Sequence, residues 1–283
     1  MTSHDHPILI GCSGWSYPDW VGPFYPDGLD SGEFLEFYAD RFPVVEVDST
    51  FYRVPTAKMV RGWRDRTPDP FRFALKVPRA ITHDKALRDC AAEVEEFTAS
   101  LAPLGPKLTC ALLQLGYFNR TAFEDQDEFL RVLAGFLADW PMDRVPLAVE
   151  IRNPRWMNEA FVETLRAHGA SLTLTDQKWM PTPAQIVSTL DPITGPLAFV
   201  RLLGDREGIE RITSTWGQIV VDRSESLTEL AAVVDALARR VPVVVFANNH
   251  YAGHSPETAR QLRRLLGQPD PAIPDRPRTT LFD

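Results

Sequence analysis

Short apolar and β-branched runs alternate with amphipathic segments along most of the chain. The runs are ILIGC (8–12), VVEVD (44–48), FRFALKV (71–77), TCALLQL (109–115), PLAVEIR (146–152), SLTLTD (171–176), LAFVRL (197–202) and VPVVVFA (241–247). Helical periodicity falls between them at 31–41, 56–66, 90–102, 124–139, 157–168, 226–240 and 255–268. Asn158 ahead of EAFVETLRAH reads as an N-cap, and Ser255-Pro256 ahead of ETARQLRRLL reads as an N-cap followed by an N1 proline. Residues 183–190 make a poor helix, and 203–225 read as a long loop with small elements of its own. Strands alternating with helices predict an α/β fold with parallel strands. Eight such units predict a single (β/α)₈ TIM-like barrel, a parallel eight-stranded domain over 8–268. Residues 1–7 read as an N-terminal tail and 269–283 as a proline-rich C-terminal tail. An open doubly wound sheet is the competitor, but GCSGWSY after the first run lacks the GxGxxG spacing that such a sheet uses for a phosphate.

The strand runs end on polar residues. In chain order these are Ser13 and Trp15; Glu46, Asp48, Tyr52 and Arg53; Lys76 and His83; Gln114; Glu150 and Arg152; Asp176; Arg201; and Asn248, Asn249 and His250. Barrel enzymes work at the C-terminal ends of their strands, so these residues are expected to surround one mouth. Alternation along a strand puts Glu46 with Asp48, Ala74 with Lys76, Ala148 with Glu150 and Arg152, and Leu172 and Leu174 with Asp176. Carboxylates and cations converging in a buried setting must pair, bind a metal or shift their pKa values.

With 283 residues and 44% hydrophobic content, the chain can fill a sizeable core. A net charge of −8 argues against a broad basic surface for duplex nucleic acid, while leaving room for a local basic cleft. Cys12, Cys90 and Cys110 match no metal-knuckle or disulfide spacing and suit a reducing cytoplasm. No apolar run approaches the ~18 residues of a membrane span, so a cytoplasmic location without a membrane partner is expected.

IGCSGWSYPDWVGPFYP, VEVDSTFYRVP, FRFALKVPRAITH, LLQL, AVEIRNPRW and FANNHYAGHSPETA occur here in that order. Through these motifs the chain resembles the YecE-like family, also called domain of unknown function 72, over roughly residues 8–267. The resemblance implies a TIM-like barrel and no particular reaction. In the commoner pattern LLQL runs into a double proline, EFRH stands for EIRN and RLHG for RLLG. Any mechanism resting on those two histidines therefore meets Asn153 and Leu203 here.

The mouth residues predict an enzyme of hydrolase or lyase type that acts on a small anionic, phosphate-bearing molecule. Glu46, Glu150 and Asp176 would move protons, with Lys76 as a further catalytic group. Lys76 fits a buried cation for an anion, a low-pKa base or a Schiff-base amine, and equally a salt bridge to Glu46 or Glu150. Ser13, Trp15, Asp48, Tyr52, Arg53, His83, Gln114, Arg152, Arg201, Asn248, Asn249 and His250 would bind the substrate. No cofactor is expected; a divalent metal held by Glu46, Glu150 and Asp176 is the alternative, since His250 and His254 are separated by a turn. A second reading is a nucleic-acid-processing barrel like endonuclease IV, with Trp15, Tyr17, Trp179 and Tyr251 stacking on bases. A third is a non-catalytic metabolite-binding protein using the same mouth.

Overall fold

The computed structural model describes residues 5–269. Its strands are β1 (Ile8–Ser13), β2 (Val44–Val47), β3 (Arg72–Lys76), β4 (Leu108–Gln114), β5 (Leu147–Glu150), β6 (Ser171–Gln177), β7 (Ala198–Gly204) and β8 (Val243–Ala247). Each pairs in parallel with the next, and β8 returns to β1 with Ile8 opposite Val243, closing the barrel. The helices are α1 (Phe34–Ala39), α2 (Ala57–Asp65), α3 (Ala91–Leu101), α4 (Gln126–Asp139), α5 (Glu159–Ala167), α6 (Pro183–Thr189), α7 (Arg206–Glu210), α8 (Ser224–Ala238), α9 (Asn249–Ala252) and α10 (Ser255–Leu265).

Two helix starts differ from the sequence pattern. Segment 183–190 looks poorly helical but forms α6, because Thr182 and Gln185 make a reciprocal capping box and Pro183 sits in the first turn. At α10 the N-cap is His254, not Ser255; the Ser255 hydroxyl instead donates to Asn249 Oδ1 at 2.8 Å. Asn158 caps α5 as expected, accepting from Phe161 N at 3.3 Å.

Alternation divides the apolar side chains into two layers. Ile10, Val45, Val47, Leu75, Leu113, Leu172, Leu174, Val200 and Val245 face outward into the shell between sheet and helices. Val44, Ala74, Cys110, Leu112, Ala148, Phe199, Val244 and Phe246 fill the barrel interior. The interior is thus a packed core whose upper layer is set by the next inward residue on each strand. At Gly11 a Cβ would come within 1.9 Å of the Val44 carbonyl oxygen, so only glycine lets β1 and β2 approach at that level.

Residues 5–7 join the barrel base, with His6 N donating to Ala238 O at 3.1 Å. The proline-rich tail from residue 270 onward lies outside the described residues. The long 203–225 segment contains the end of β7 and α7, then folds back over the β8–β1 side. Trp216 N donates to Asp19 Oδ2 at 3.0 Å, and Val220 N donates to Ala252 O at 2.7 Å. Among the described residues no helix is long and apolar enough to cross a membrane.

Candidate functional site

Glu46, Glu150 and Arg201 are the inward residues above the apolar filling, and all three are buried. Arg201 grips Glu46 with two bonds, Nε to Oε2 at 2.7 Å and Nη2 to Oε1 at 2.6 Å. Its Nη1 donates to Glu150 Oε2 at 2.7 Å. Glu150 is also ion-paired through Oε1 to Arg152 Nη2 at 2.5 Å, in a geometry that leaves Oε1 without an aligned hydrogen-bond donor. Arg152 Nη1 donates to Gln177 Oε1. Burial presses against the Glu150 charge, but Arg152 and Arg201 outweigh it and hold the carboxyl below its ordinary range. Burial likewise opposes the Arg201 charge; Glu150 and Glu46 overcome it and raise its pKa above the usual arginine value. For Arg152, burial wins and lowers its pKa. Two carboxylates and two guanidiniums therefore neutralise one another across β2, β5 and β7. Charge pairing of this kind, with bidentate geometry, is what burial at this depth demands.

Lys76 stands beside that layer and outside it. It follows Ala74 on the inward row of β3, and its Nζ lies 4.5 Å from the Phe51 ring centroid. Among the described residues no carboxylate lies within ion-pairing distance of Nζ, so the salt bridge to Glu46 or Glu150 is not formed. Burial, reinforced by Arg201, brings the Lys76 pKa down to about 8, despite opposing pulls from Glu46, Glu150 and Asp48. Asp48 is raised, first by burial and then by Glu46. His83 reaches the same side from the loop after β3, packing edge-on to Phe51 at 5.1 Å and contacting the Thr82 hydroxyl through Nδ1 at 2.8 Å. Burial and the nearby charges of Lys76, Arg79 and Arg152 lower its pKa.

Other predicted residues do not converge. Asp176 lies on the outward row with Leu172 and Leu174, before the irregularity between Asp176 and Gln177, and its carboxylate accepts from Tyr251 OH at 2.7 Å. The three carboxylates Glu46, Glu150 and Asp176 therefore form no common cluster, and among the described residues no three His, Cys, Asp or Glu side chains stand together as a ligand set. Trp15 turns from the mouth to pack on Trp63, ring centroids 5.9 Å apart. Tyr251 is buried, and Tyr52 and Arg53 project into solvent. Asn249 is a packing residue: its Oδ1 accepts from Trp20 Nε1, Ser255 N and Ser255 Oγ. Asn248 caps α9 and contacts His250 Nδ1 at 2.7 Å, while His250 Nε2 meets Glu210 Oε1 at 3.1 Å. Asn153 clamps Phe118 through both main-chain groups, at 3.0 and 2.8 Å. Ser13 does stay with the site, opposite Glu46, with a buried hydroxyl that has no partner. Gln114, opposite Glu150, donates to the Leu115 carbonyl at 3.2 Å.

Three residues of the site escaped the sequence pattern. Phe51 floors Lys76, Gln177 orients Arg152, and Thr173 buries an unpartnered hydroxyl on the inward row of β6. For Thr173 and Gln177 the available signal was parity: Thr173, Thr175 and Arg201 face inward together, as the pairing of Thr175 with Arg201 shows.

A closed parallel barrel with a charge-matched layer under its mouth and one unmatched lysine at the rim defines a TIM-barrel protein with a polar mouth site. The chain belongs to the family described as "Protein of unknown function DUF72", whose model matches residues 9–281. The resemblance carried by the sequence motifs is thereby borne out. The chain is similar to UPF0759 protein YecE of Escherichia coli (strain K12), with 42% identity over 108 residues, which make up 38% of this chain and 37% of YecE. It is also similar to the crystal structure of a DUF72 family protein from Thermotoga maritima, with 28% identity, a TM-score of 0.74, and coverage of 93% of this chain and 100% of that one. Similarity to an AP endonuclease, family 2, from Brucella melitensis, at 11% identity and a TM-score of 0.50, is a likeness of fold alone.

Proposed function

We propose that the chain is an enzyme that holds a small, phosphate-bearing anion over the barrel mouth, with Lys76 rather than a carboxylate moving the proton. The observation that carries this reading is the isolation of Lys76. Its ammonium sits partly buried beside a layer already neutral in itself, and no carboxylate pairs with it directly, Asp48 acting on it only from beyond ion-pairing distance. A desolvated cation without a counter-ion is costly to keep, and an anionic ligand is the natural partner. With its pKa brought down to about 8, the same amine is mostly charged at neutral pH, yet close enough to it to exchange a proton during turnover. Glu46 and Glu150 then serve as positioning residues that hold Arg201 and Arg152, since carboxylates gripped by guanidiniums are poor proton carriers.

Calorimetric titration with ribose 5-phosphate tests this between pH 7 and 9.5, above the phosphate's second ionisation near ~6. The wild type should lose affinity as the pH rises through about 8. Lys76→Met should bind at least about tenfold more weakly, the scale of one charge-assisted contact, and show no such slope. Equal affinity in the two proteins at pH 7 would remove Lys76 from the anion site.

A further inference from the structure

Beside the charged layer, residues following β4, β5 and β6 border an open groove of about 440 Å³. That volume lies within the range of small-molecule sites, roughly 300–1,000 Å³. Tyr117, Arg152, Pro154, Gln177, Lys178, Trp179 and Met180 line it. Tyr117 is 71% exposed and Trp179 77% exposed, so neither ring contributes much burial to the fold. Trp179 also sits at φ 75°, in the left-handed region that a bulky side chain rarely adopts. The ring is held out by its neighbours: Lys178 Nζ lies 4.7 Å from its centroid, and Lys178 is itself fixed by Asp205 at 2.7 Å. An exposed tryptophan on a strained backbone offers the fold little, whereas two aromatic rings in one cavity offer a flat ligand two stacking surfaces. The rest of the wall is apolar Pro154 and Met180 with two polar groups already engaged, Gln177 by Arg152 and Lys178 by Asp205. A sugar face would need more free polar partners than this wall supplies; a planar heterocycle would not. Arg152 lines the cavity and pairs with Glu150 of the charged layer, which connects the cavity to the inward row on which Lys76 stands.

We infer that this cavity takes the base of a nucleotide whose phosphate reaches Arg152 and Lys76. The phosphate end rests on the anion reading above; the base end rests independently on Tyr117 and Trp179. Calorimetry with AMP and with ribose 5-phosphate separates the two in the wild-type protein and in Trp179→Ala, whose exposed side chain can be removed without opening the core. AMP should bind at least tenfold more tightly than ribose 5-phosphate, and Trp179→Ala should erase that difference while leaving ribose 5-phosphate unchanged. Equal affinities for the two ligands in the wild type, unaltered by Trp179→Ala, would overturn the base site and leave the anion site standing. Failure of both ligands to bind would overturn the anion reading and the nucleotide with it. A hexadeoxyadenylate arm identifies the source once AMP binds: tighter, salt-dependent binding that AMP displaces supports a nucleotide presented in a strand, and no gain over AMP supports the free nucleotide.

Discussion

The two sides of the mouth use similar residue types to different ends. On the β8–β1 side, Asn248, Asn249, His250 and His254 are nearly all committed. Asn249 Oδ1 takes three hydrogen bonds, His254 Nδ1 meets the Trp216 carbonyl at 2.8 Å, and the 203–225 segment closes over them, with Gly253 at φ 112° where a Cβ would collide with the Gln218 carbonyl. Among the described residues, Asn249 Nδ2 and the Ser13 hydroxyl have no hydrogen-bond partner there. On the β3–β6 side, among the described residues, Lys76 is in no ion pair, Arg152 Nε and Thr173 Oγ1 have no hydrogen-bond partner, Glu150 Oε1 is held only by its ion pair to Arg152, and Trp179 and Tyr117 stand in solvent. A polar residue at a strand end is therefore a poor sign of function by itself; what sets the β3–β6 side apart is a cation outside any ion pair beside two exposed aromatic rings.

The sharpest way to test that contrast is to break the layer between the two sides. Arg201→Leu leaves Glu46 buried without its cation and should cost roughly 3–5 kcal/mol, read from urea unfolding. A midpoint equal to the wild type would show the layer to be dispensable for the fold. Lys76→Met should act in the opposite direction. Because folding lowers this pKa from 10.5 to about 8, the fold penalises the charged amine fully below about pH 8 and no longer above 10.5. The variant should thus be more stable by up to roughly 3 kcal/mol at pH 7, with the advantage fading as pH rises through that window. A destabilised Lys76→Met would make the lysine structural. On the committed side, Asn249→Ala should lose about 1–3 kcal/mol in the same unfolding measurement while binding ribose 5-phosphate as the wild type does. Weakened binding there would place the β8 end in the site after all.

The barrel was legible in the sequence because each strand is a buried apolar run between turn signals, and that signal is local. Its eight runs become β1 to β8 with ends shifted by only one or two residues. The shared rows of Glu46, Lys76 and Glu150 were legible through alternation, and Arg201 through its place at a strand end. Asp176 was misplaced because parity was read within β6 alone, whereas the pairing of Thr175 with Arg201 fixes which row faces inward. Asn249 and Trp15 were misplaced because residues beyond a strand's last pair leave its alternation: Asn249 begins α9, and Trp15 swings onto Trp63 of α2. The pairing of Arg201 with both carboxylates depends on long-range geometry and had no local signature. Thr182 was different: the Thr182–Gln185 spacing of a capping box is local and present in the sequence, and it starts a helix that the weak periodicity of 183–190 does not announce.

The bidentate contact between Glu46 and Arg201 joins residues 155 positions apart. On a ribosome adding about 5–20 residues per second, β2 emerges on the order of ten seconds before β7. Until then the carboxylate of Glu46 has no guanidinium to accompany it into an apolar interior, and water holds it better than a half-built barrel would. The ion pair thus ties the burial of the second strand to the arrival of the seventh, so the polar layer under the mouth also records that the chain has been made far enough to close.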